Sequence, residues 1–240
     1  MSPKRPRQET DALPGAVWLR APRQASRTGP ALSRERITEA AVAALDGGGV
    51  PALSMRKLAD ALNVHATSLY WHVAHRDDLL DLALDAVSGE VALPAGHATW
   101  REDVALFMRE LRAALLRHPW AAGLTATRPL LGPHALARAE FVHAALVTAG
   151  FDGIALASAA ALVTQQVTGS VATQTAWPDG AEDRRARGAF AERLREAADR
   201  YPTLAAHATP PHSDWDAHFE AGLALLLDGF ATGGHRSPGV

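Results

Sequence analysis

The stretch from Ser54 to His72, SMRKLADALNVHATSLYWH, constrains the fold of this chain more than any other part of it. From Met55 onward, apolar residues recur at positions i, i+3, i+4 and i+7, which is the pattern of one buried helical face. Ser54 precedes that face as a good N-cap, and Asn63 follows it as a residue that tolerates the left-handed backbone of a helix end. The stretch therefore predicts two short helices with a tight break between them, the second running from about His65 to His72.

The second helix would expose polar and aromatic side chains. Leu69 and Val73 are spaced to pack inward, and the outward side chains are those of Thr67, Ser68, Tyr70, Trp71 and His72. Large aromatic residues on an exposed face are costly unless a partner covers them. These side chains can contact phosphate, sugar or base edges, which favours a helix-turn-helix whose second helix enters a major groove. The alternative is an ordinary helical hairpin with half-buried aromatic residues, which is common in all-α folds.

The rest of the chain predicts an all-α fold. Hydrophobic residues make up 48% of the 240 positions, so a sizeable core is available, and alanine is abundant while no strand pattern occurs. We expect about nine or ten helices from the apolar periodicity and the breaks in it. They divide into an N-terminal three-helix unit with its connecting helix, residues 33–92, and a larger helical body, residues 97–240.

Cap residues and breakers predict where the helices begin and end. The expected helix starts are Ser33, Arg76, the capping box Thr99–Glu102, Pro133, Asp152 and Ser213. The expected helix ends include the glycines at 47–49. Residues 182–200 are expected to form a charged, solvated helix. The proline-containing stretch from Tyr201 to His212 is expected to be a loop. The helix after Asp152 is apolar on more than one side, which suggests that it faces its own domain and also a partner subunit.

Composition limits the classes of protein to which the chain belongs. It has no cysteine, which excludes disulfides and cysteine nucleophiles, and we see no apolar run of about eighteen residues that would span a membrane. The N-terminus lacks the apolar segment of a secretory signal, so a cytoplasmic protein is expected. The net charge is −2, but residues 1–80 carry 11 Lys or Arg against 8 Asp or Glu, so the basic excess lies with the predicted helix-turn-helix.

Residues 1–32 contain five prolines and a basic excess but no periodic pattern. One interpretation is a flexible, solubilising tail. The other is an arm whose arginines lie in the minor groove beside the recognition helix. The apolar island Val17-Trp18-Leu19 would then anchor the arm on the folded body.

Residues 32–84 resemble the DNA-binding domain of the tetracycline-repressor (TetR) family, on the motifs L-A-D-A-L-N-V, S-L-Y-W-H-V and R-D-D-L-L. A weaker resemblance continues through Thr127-Arg128-Pro129, Gly150-Phe151 and Thr168-Gly169. The resemblance implies a regulator, usually a repressor, that binds a palindromic operator in double-stranded DNA as a homodimer. It also implies that the helix after Asp152 and the last helix form a four-helix bundle with their mates.

The resemblance also implies which residues contact DNA. Arg56 matches a position that reaches a base edge, and guanine is the usual partner of arginine. Ala66 and Thr67 would touch bases, and tetracycline-binding members of the family have Gln-Pro there, so a different operator is expected. The positions that match phosphate contacts, which fix register rather than sequence, are Ser54, Tyr70, Trp71, His72 and Arg76.

A small-molecule effector pocket is the remaining implication. The candidate lining residues are Phe107, Leu111, Thr127, Arg128, His134, Thr164, Gln165 and Thr168, each of which has core packing or a surface contact as its alternative. Tetracycline-binding members hold a magnesium–drug complex with a histidine and a glutamate, and here those places carry residues such as Leu124 and Thr173. Because Mg²⁺ requires oxygen ligands, a less polar effector is expected, with no metal and no cofactor.

Two other classes of protein compete with this interpretation. An enzyme is disfavoured because none of the common catalytic or nucleotide-binding motifs is present. A helical binding or interaction protein without operator activity is the closer alternative, but it would not need the exposed face of the second helix.

Overall fold

The computed structural model describes residues 14–20, 32–94, 99–176, 181–207 and 214–233. Within these ranges every regular element is a helix, and the all-α prediction is confirmed. The N-terminal part contains α1 (Ala16–Leu19), α2 (Arg34–Ala52), α3 (Met55–Leu62), α4 (Ala66–Leu69) and α5 (Arg76–Gly89). The larger body contains α6 (Trp100–Arg117), α7 (Pro119–Thr125), α8 (Pro133–Thr148), α9 (Gly153–Ala176), α10 (Ala181–Glu196), α11 (Pro202–His207) and α12 (Trp215–Gly233).

Local cap signals account for most of these helix ends. The Ser33 hydroxyl accepts a hydrogen bond from the Arg36 amide at 3.2 Å, and Thr99 forms the predicted capping box with Glu102. Pro133 occupies the first turn of α8. The glycines that were expected to end the first helix do interrupt it, because Gly48 and Gly49 have non-helical backbones, but a further helical turn follows as far as Ala52.

Two hydrophobic cores hold the chain together. The smaller core joins α2, α3, α4 and α5, and its centre consists of Ile37, Leu45, Leu58, Leu69 and Leu79. The larger core lies among α6, α7, α8, α9 and α12. Trp120 and Leu124 of α7 pack against both cores, so α7 lies at the junction between the two parts of the chain.

The helix α1 is a difference from the sequence prediction, which placed no regular structure before residue 33. Val17 is buried in the smaller core and Trp18 packs against it, whereas Leu19 is 69% exposed, so the Val17-Trp18-Leu19 island contacts the folded body through its first two residues. The Gly15 amide donates to Asp81 Oδ2 at 2.8 Å, and the Arg20 guanidinium hydrogen-bonds Asp78. A helix of four residues is unstable alone, so only these contacts define it and no local pattern could predict it. The predicted arm residues 1–13 and 21–31 lie outside the described residues.

Two further elements differ from their predictions. The second helix of the hairpin ends at Leu69 rather than near His72, and residues 70–72 continue it as a turn in which the His72 and Val73 amides both donate to the Leu69 carbonyl at 2.9 Å. The expected loop from residue 201 to residue 212 contains α11, while 208–212 lie outside the described residues. The predicted domain boundary falls partly on residues 95–98, which also lie outside them.

One face of α9 is buried and the other is open to solvent. The buried stripe consists of Ala159, Val163, Val167 and Val171, whereas Ile154 is 84% exposed and Leu162 46% exposed. By length and composition α9 could cross a membrane, and it is the one such helix in the described ranges. The sequence shows no apolar run of about eighteen residues because Thr, Gln and Ser residues interrupt this stretch, but the mean hydropathy of α9 is still high enough for a membrane span.

Candidate nucleic-acid interface and ligand cavity

The hairpin α3–α4 has the predicted cap, break and buried residues, although α4 is shorter than predicted. The Ser54 hydroxyl accepts from the Lys57 amide at 3.2 Å, and α3 ends at Asn63, whose φ of 54° is left-handed. Leu69 and Val73 are buried and fix α4 on the smaller core. A helix of one turn is thus positioned by packing on one side, which leaves its other side free to meet a partner.

The opposite side of the hairpin forms a polar and aromatic surface. We call Arg56, Ala66, Thr67, Tyr70 and Trp71 the reading face, since all five are at least partly accessible to solvent. Tyr70 is 47% exposed and Trp71 is 69% exposed, so neither aromatic ring is sealed in the core. The exposure of two large rings favours a surface that a partner covers. It disfavours the alternative of an ordinary hairpin with half-buried aromatic residues.

His72 lies at the edge of the reading face and is half-buried. Burial lowers the pKa of the His72 imidazole, and the nearby charge of Arg34 lowers it further. The lowered pKa favours the neutral imidazole in the free protein, whereas a bound phosphate would favour the charged form.

Arg76 has a different environment from the one expected. Its Nε donates to the Leu53 carbonyl at 2.8 Å, and its Nη2 donates to the Val50 carbonyl. These bonds attach the start of α5 to the connection between α2 and α3. The predicted phosphate contact by Arg76 stays a prediction, but the first role of this side chain is to hold the hairpin on α5.

Two arginines that sequence reasoning did not select lie beside the reading face. Arg20 and Arg34 line a small concavity together with Trp71 and His72. The Arg34 guanidinium also lies 6.0 Å from the centre of the Trp18 ring. Arg20 and Arg34 lie close to Trp71 because α1 packs against the smaller core. The sequence gives no sign of this arrangement apart from the apolar island in α1.

The first turns of α5 link the hairpin to the larger body through buried carboxylates. Asp81 accepts from Arg128 Nε at 2.6 Å as well as from the Gly15 amide, and the side chain of Arg128 is only 8% exposed. Burial lowers the pKa of Arg128, but the hydrogen bond to Asp81 and the Asp81 charge outweigh burial and raise it. Arg128 was predicted to line the effector pocket, and here it forms an ion pair between the two parts of the chain.

The last turn of α5 is held by a second polar cluster. His118 Nδ1 lies 2.7 Å from Asp46 Oδ1, and its Nε2 lies 3.0 Å from Glu90 Oε1. The Trp120 indole donates to the same Asp46 oxygen at 2.7 Å, and Arg117 Nη2 donates to Glu90 Oε2 at 2.7 Å. Asp46 belongs to α2, so this cluster joins the N-terminal part, the end of α5 and the α6–α7 junction.

A cavity of about 110 Å³ lies between α5, α6, α7, α8 and α9. Most of its wall is apolar, including Leu84 and Val87 of α5. Four of the predicted pocket residues line it, namely Phe107, Leu111, Thr164 and Thr168. Sequence reasoning missed the contribution of α5 altogether, because the apolar face of α5 reads as ordinary core and only packing reveals a void beside it.

The other predicted pocket residues lie away from this cavity, each for a reason visible in its contacts. Besides Arg128, these are Thr127, His134 and Gln165, and none of them is among the lining residues. The Thr127 hydroxyl donates to the Leu124 carbonyl at 3.2 Å, and the His134 ring packs over Gly89. Gln165 is exposed, on the side of α9 that faces away from the larger core.

Comparison with known proteins identifies the family of this chain. Residues 93–233 match the family model described as the tetracyclin repressor-like C-terminal domain. An HTH-type transcriptional regulator from Saccharopolyspora erythraea is 50% identical over 232 residues, which covers 96% of this chain and 98% of that protein. The HTH-type transcriptional repressor DrrR1 from Streptomyces coeruleorubidus is 32% identical over 223 residues, which covers 89% of this chain and 82% of that protein.

Solved structures lead to the same family. ActR, a TetR family protein from Streptomyces coelicolor, superposes with a TM-score of 0.75 at 32% identity, covering 85% of this chain and 99% of ActR in its complex with (S)-DNPA. ActR has also been solved with actinorhodin, and that structure superposes with a TM-score of 0.74 at 33% identity, covering 85% of this chain and 98% of ActR. The family model, the curated relatives and these structures agree, and the chain belongs to the TetR family of DNA-binding transcriptional regulators.

Proposed function

We propose that this regulator is a ligand-responsive repressor, which binds a palindromic operator as a homodimer and releases it when a small molecule enters the cavity. One observation carries the proposal: a single helix, α5, is attached at one end to the connection that precedes the hairpin α3–α4 and lines the cavity at the other end. Arg76 ties its first residue to the α2–α3 connection, and Leu84 and Val87 form cavity wall. We refer to α5 as the linker helix.

The reading face supports contact with a major groove. Arg56 is exposed on the first turn of α3, where a guanidinium can pair with the two acceptors of a guanine. Ala66 and Thr67 are the first residues of α4, and the N-terminal end of a recognition helix is the part that meets base edges. We assign phosphate contacts to Ser54, Tyr70, Trp71, His72 and Arg76 as the resemblance implied, and each of these side chains is at least partly accessible to solvent.

The anchored segment 14–20 supports a role for the N-terminal arm. It fixes the chain beside the reading face, and basic residues precede and follow it in the sequence. We propose that the arm places arginines in the minor groove next to the recognition helix, where the narrow groove attracts cations.

The exposed side of α9 and the neighbouring α12 supports a homodimer. α9 packs against α12 within the chain, and the exposed apolar residues of the two helices include Ile154, Leu162 and Leu225. Apolar side chains exposed on two adjacent helices are what a four-helix bundle with a second copy would cover. The same surface explains why α9 is apolar on its open side without any need for a membrane.

Leu225→Asp is expected to convert the dimer to a monomer. Leu225 is 74% exposed in the single chain, and dimerisation would bury two new carboxylates near the twofold axis at a cost of several kcal/mol each. Light scattering after size exclusion gives the mass. Leu19→Asp, at a residue that is 69% exposed on α1, is the matched control and should remain dimeric. A wild-type monomer, or a dimeric Leu225→Asp variant, would rule out this interface.

The cavity supports release by displacement of the linker helix. Its volume of about 110 Å³ is smaller than the engineered cavity of about 150 Å³ that holds one benzene molecule. A larger effector must therefore move a wall, and the linker helix supplies part of it. Magnesium–tetracycline is not the proposed effector, because apolar side chains dominate the wall and few oxygen ligands are present.

As a regulator, the protein would act in the cytoplasm, where its operator lies, and without catalysis.

Arg56→Ala tests the DNA-binding part of the proposal. We expect it to weaken binding by about 1–3 kcal/mol and to relax preference at one base pair. Fluorescence anisotropy with the DNA upstream of the protein's own gene, at two salt concentrations, measures this loss. Arg109→Ala is the control, because Arg109 is exposed on α6 and pairs with Glu220 there. Absence of sequence-specific binding by the wild type would favour a helical interaction protein instead.

A further inference from the structure

Among the described residues that line the cavity, Arg138 of α8 is the one that carries a charge. Its Nη2 donates to the Gly89 carbonyl at 2.9 Å and to the Val91 carbonyl at 2.8 Å, and its Nε donates to Val91 at 3.2 Å. The fourth contact, from Nη1 to the His134 carbonyl, is long at 3.5 Å. Arg138 therefore caps the end of the linker helix while keeping donor capacity on Nη1.

The other polar groups of the cavity wall are hydroxyls whose protons are already committed. Ser88 donates to the Leu84 carbonyl at 2.9 Å, Thr125 to the Ala122 carbonyl at 2.8 Å, and Thr168 to the Thr164 carbonyl at 3.0 Å. Each hydroxyl oxygen can still accept a hydrogen bond. The described lining residues include no carboxylate, so a negative charge on a ligand would meet one cation and no anion.

We propose that the effector is an organic acid: a mainly apolar molecule whose carboxylate binds Arg138 and whose hydroxyl groups, where present, donate to the threonine and serine oxygens. This inference rests on the proposed function and names the ligand class for it. The apolar wall provides burial for the apolar part of the ligand, and the guanidinium provides a charge-assisted hydrogen bond that a neutral analogue lacks.

The same contact gives the acid a route to the linker helix. We expect a carboxylate that binds the available Nη1 of Arg138 to draw the guanidinium toward the cavity and so to lengthen the hydrogen bonds from Nη2 to the carbonyls of Gly89 and Val91. The end of the linker helix then loses part of its cap. A neutral analogue of the same shape fills the cavity without drawing Arg138 away, so charge on the ligand contributes to regulation as well as to affinity.

A matched pair of probes tests this inference, namely 2-naphthoate, which is ionised at pH 7.5, and the neutral 2-naphthamide. Isothermal titration of the full-length protein should give at least about tenfold tighter binding of the acid, the size of one charge-assisted hydrogen bond. In Arg138→Met the preference should fall to within about twofold while the amide binds as before. Arg109→Met removes an equivalent charge from α6, outside the cavity, and should keep the full preference.

Each outcome decides between the inference and the proposed function. Equal binding of acid and amide by the wild type, or a preference that survives in Arg138→Met, overturns the acid assignment and leaves the cavity as an effector site. Failure of both probes to bind the wild type would show that the cavity wall does not move to admit a ligand of this size, which overturns both the acid assignment and release by displacement of the linker helix. If Arg138→Met binds neither probe, Arg138→Lys decides the question, because lysine retains the positive charge. If Arg138→Lys binds the amide and shows no preference for the acid, the inference is overturned.

Discussion

Asp81→Ala is expected to lower the free energy of unfolding by about 3 kcal/mol, because it removes the buried carboxylate that pairs with Arg128 and leaves beside that guanidinium the half-exposed Asp77, at 3.7 Å. Arg128 is 8% exposed at its side chain, and its Nε lies 2.6 Å from the Asp81 carboxylate. The same carboxylate accepts from the Gly15 amide at 2.8 Å, so the substitution also leaves a buried backbone donor unpaired. Urea unfolding followed by circular dichroism at neutral pH measures the loss.

The control for Asp81 is Asp228, whose carboxylate pairs with Arg101 at the surface and is 69% exposed. Asp228→Ala should cost less than about 1 kcal/mol, as exposed ion pairs usually do. The double variant Asp81→Leu with Arg128→Met should recover much of the loss, because it removes both charges together. A cost for Asp81→Ala no larger than that for Asp228→Ala would show that the Asp81–Arg128 pair does not join the two parts of the chain.

Gly132→Ala is expected to destabilise the protein by about 2–4 kcal/mol, as a sum of overpacking and loss of a helix cap. A Cβ on residue 132 would lie 2.2 Å from Cγ of Asp85. The Asp85 carboxylate accepts from the Ala135 amide at 2.9 Å and so caps the first turn of α8. The alanine must push this carboxylate away, which separates the linker helix from α8.

Thermal unfolding provides the measurement for Gly132→Ala, and Gly123→Ala provides the control. Gly123 lies within α7, and a Cβ there would meet nothing within 4 Å. Alanine in that position should leave the melting temperature unchanged or raise it, since glycine is a poor helix former. Equal melting temperatures for the two alanine variants would contradict the close approach of Gly132 to Asp85.

Elements that depend on neighbours in the sequence could be predicted, and elements that depend on distant contacts could not. The caps at Ser33 and Ser54 and the capping box at Thr99 use groups three residues apart, so the sequence displays them directly. By contrast, α1 and α11 are only four and six residues long. Tertiary contacts decide whether such short helices form, and no periodicity reveals them.

The same distinction separates the site residues. The reading face follows from the apolar spacing of α3 and α4, because packing of one side defines which side remains exposed. The roles of Arg76 and Arg128 depend on partners 23 and 47 residues away in the chain, so resemblance alone assigned them to DNA and ligand. The cavity depends on a void in packing, which explains why Thr164 and Thr168 were predicted while the contribution of α5 and of Arg138 was not.

The end of the linker helix is held from two sides by different chemistry. On one side the Glu90 carboxylate contacts His118 and Arg117, and on the other Arg138 binds the carbonyls of Gly89 and Val91. A ligand that frees only the Arg138 side leaves Glu90 as a pivot, and we expect the helix to tilt there, against the contacts of Asp81 and Asp85, rather than to slide along its axis. Its 14 residues form a lever of roughly 21 Å, and a tilt of about 5° at the pivot displaces the far end by about 2 Å.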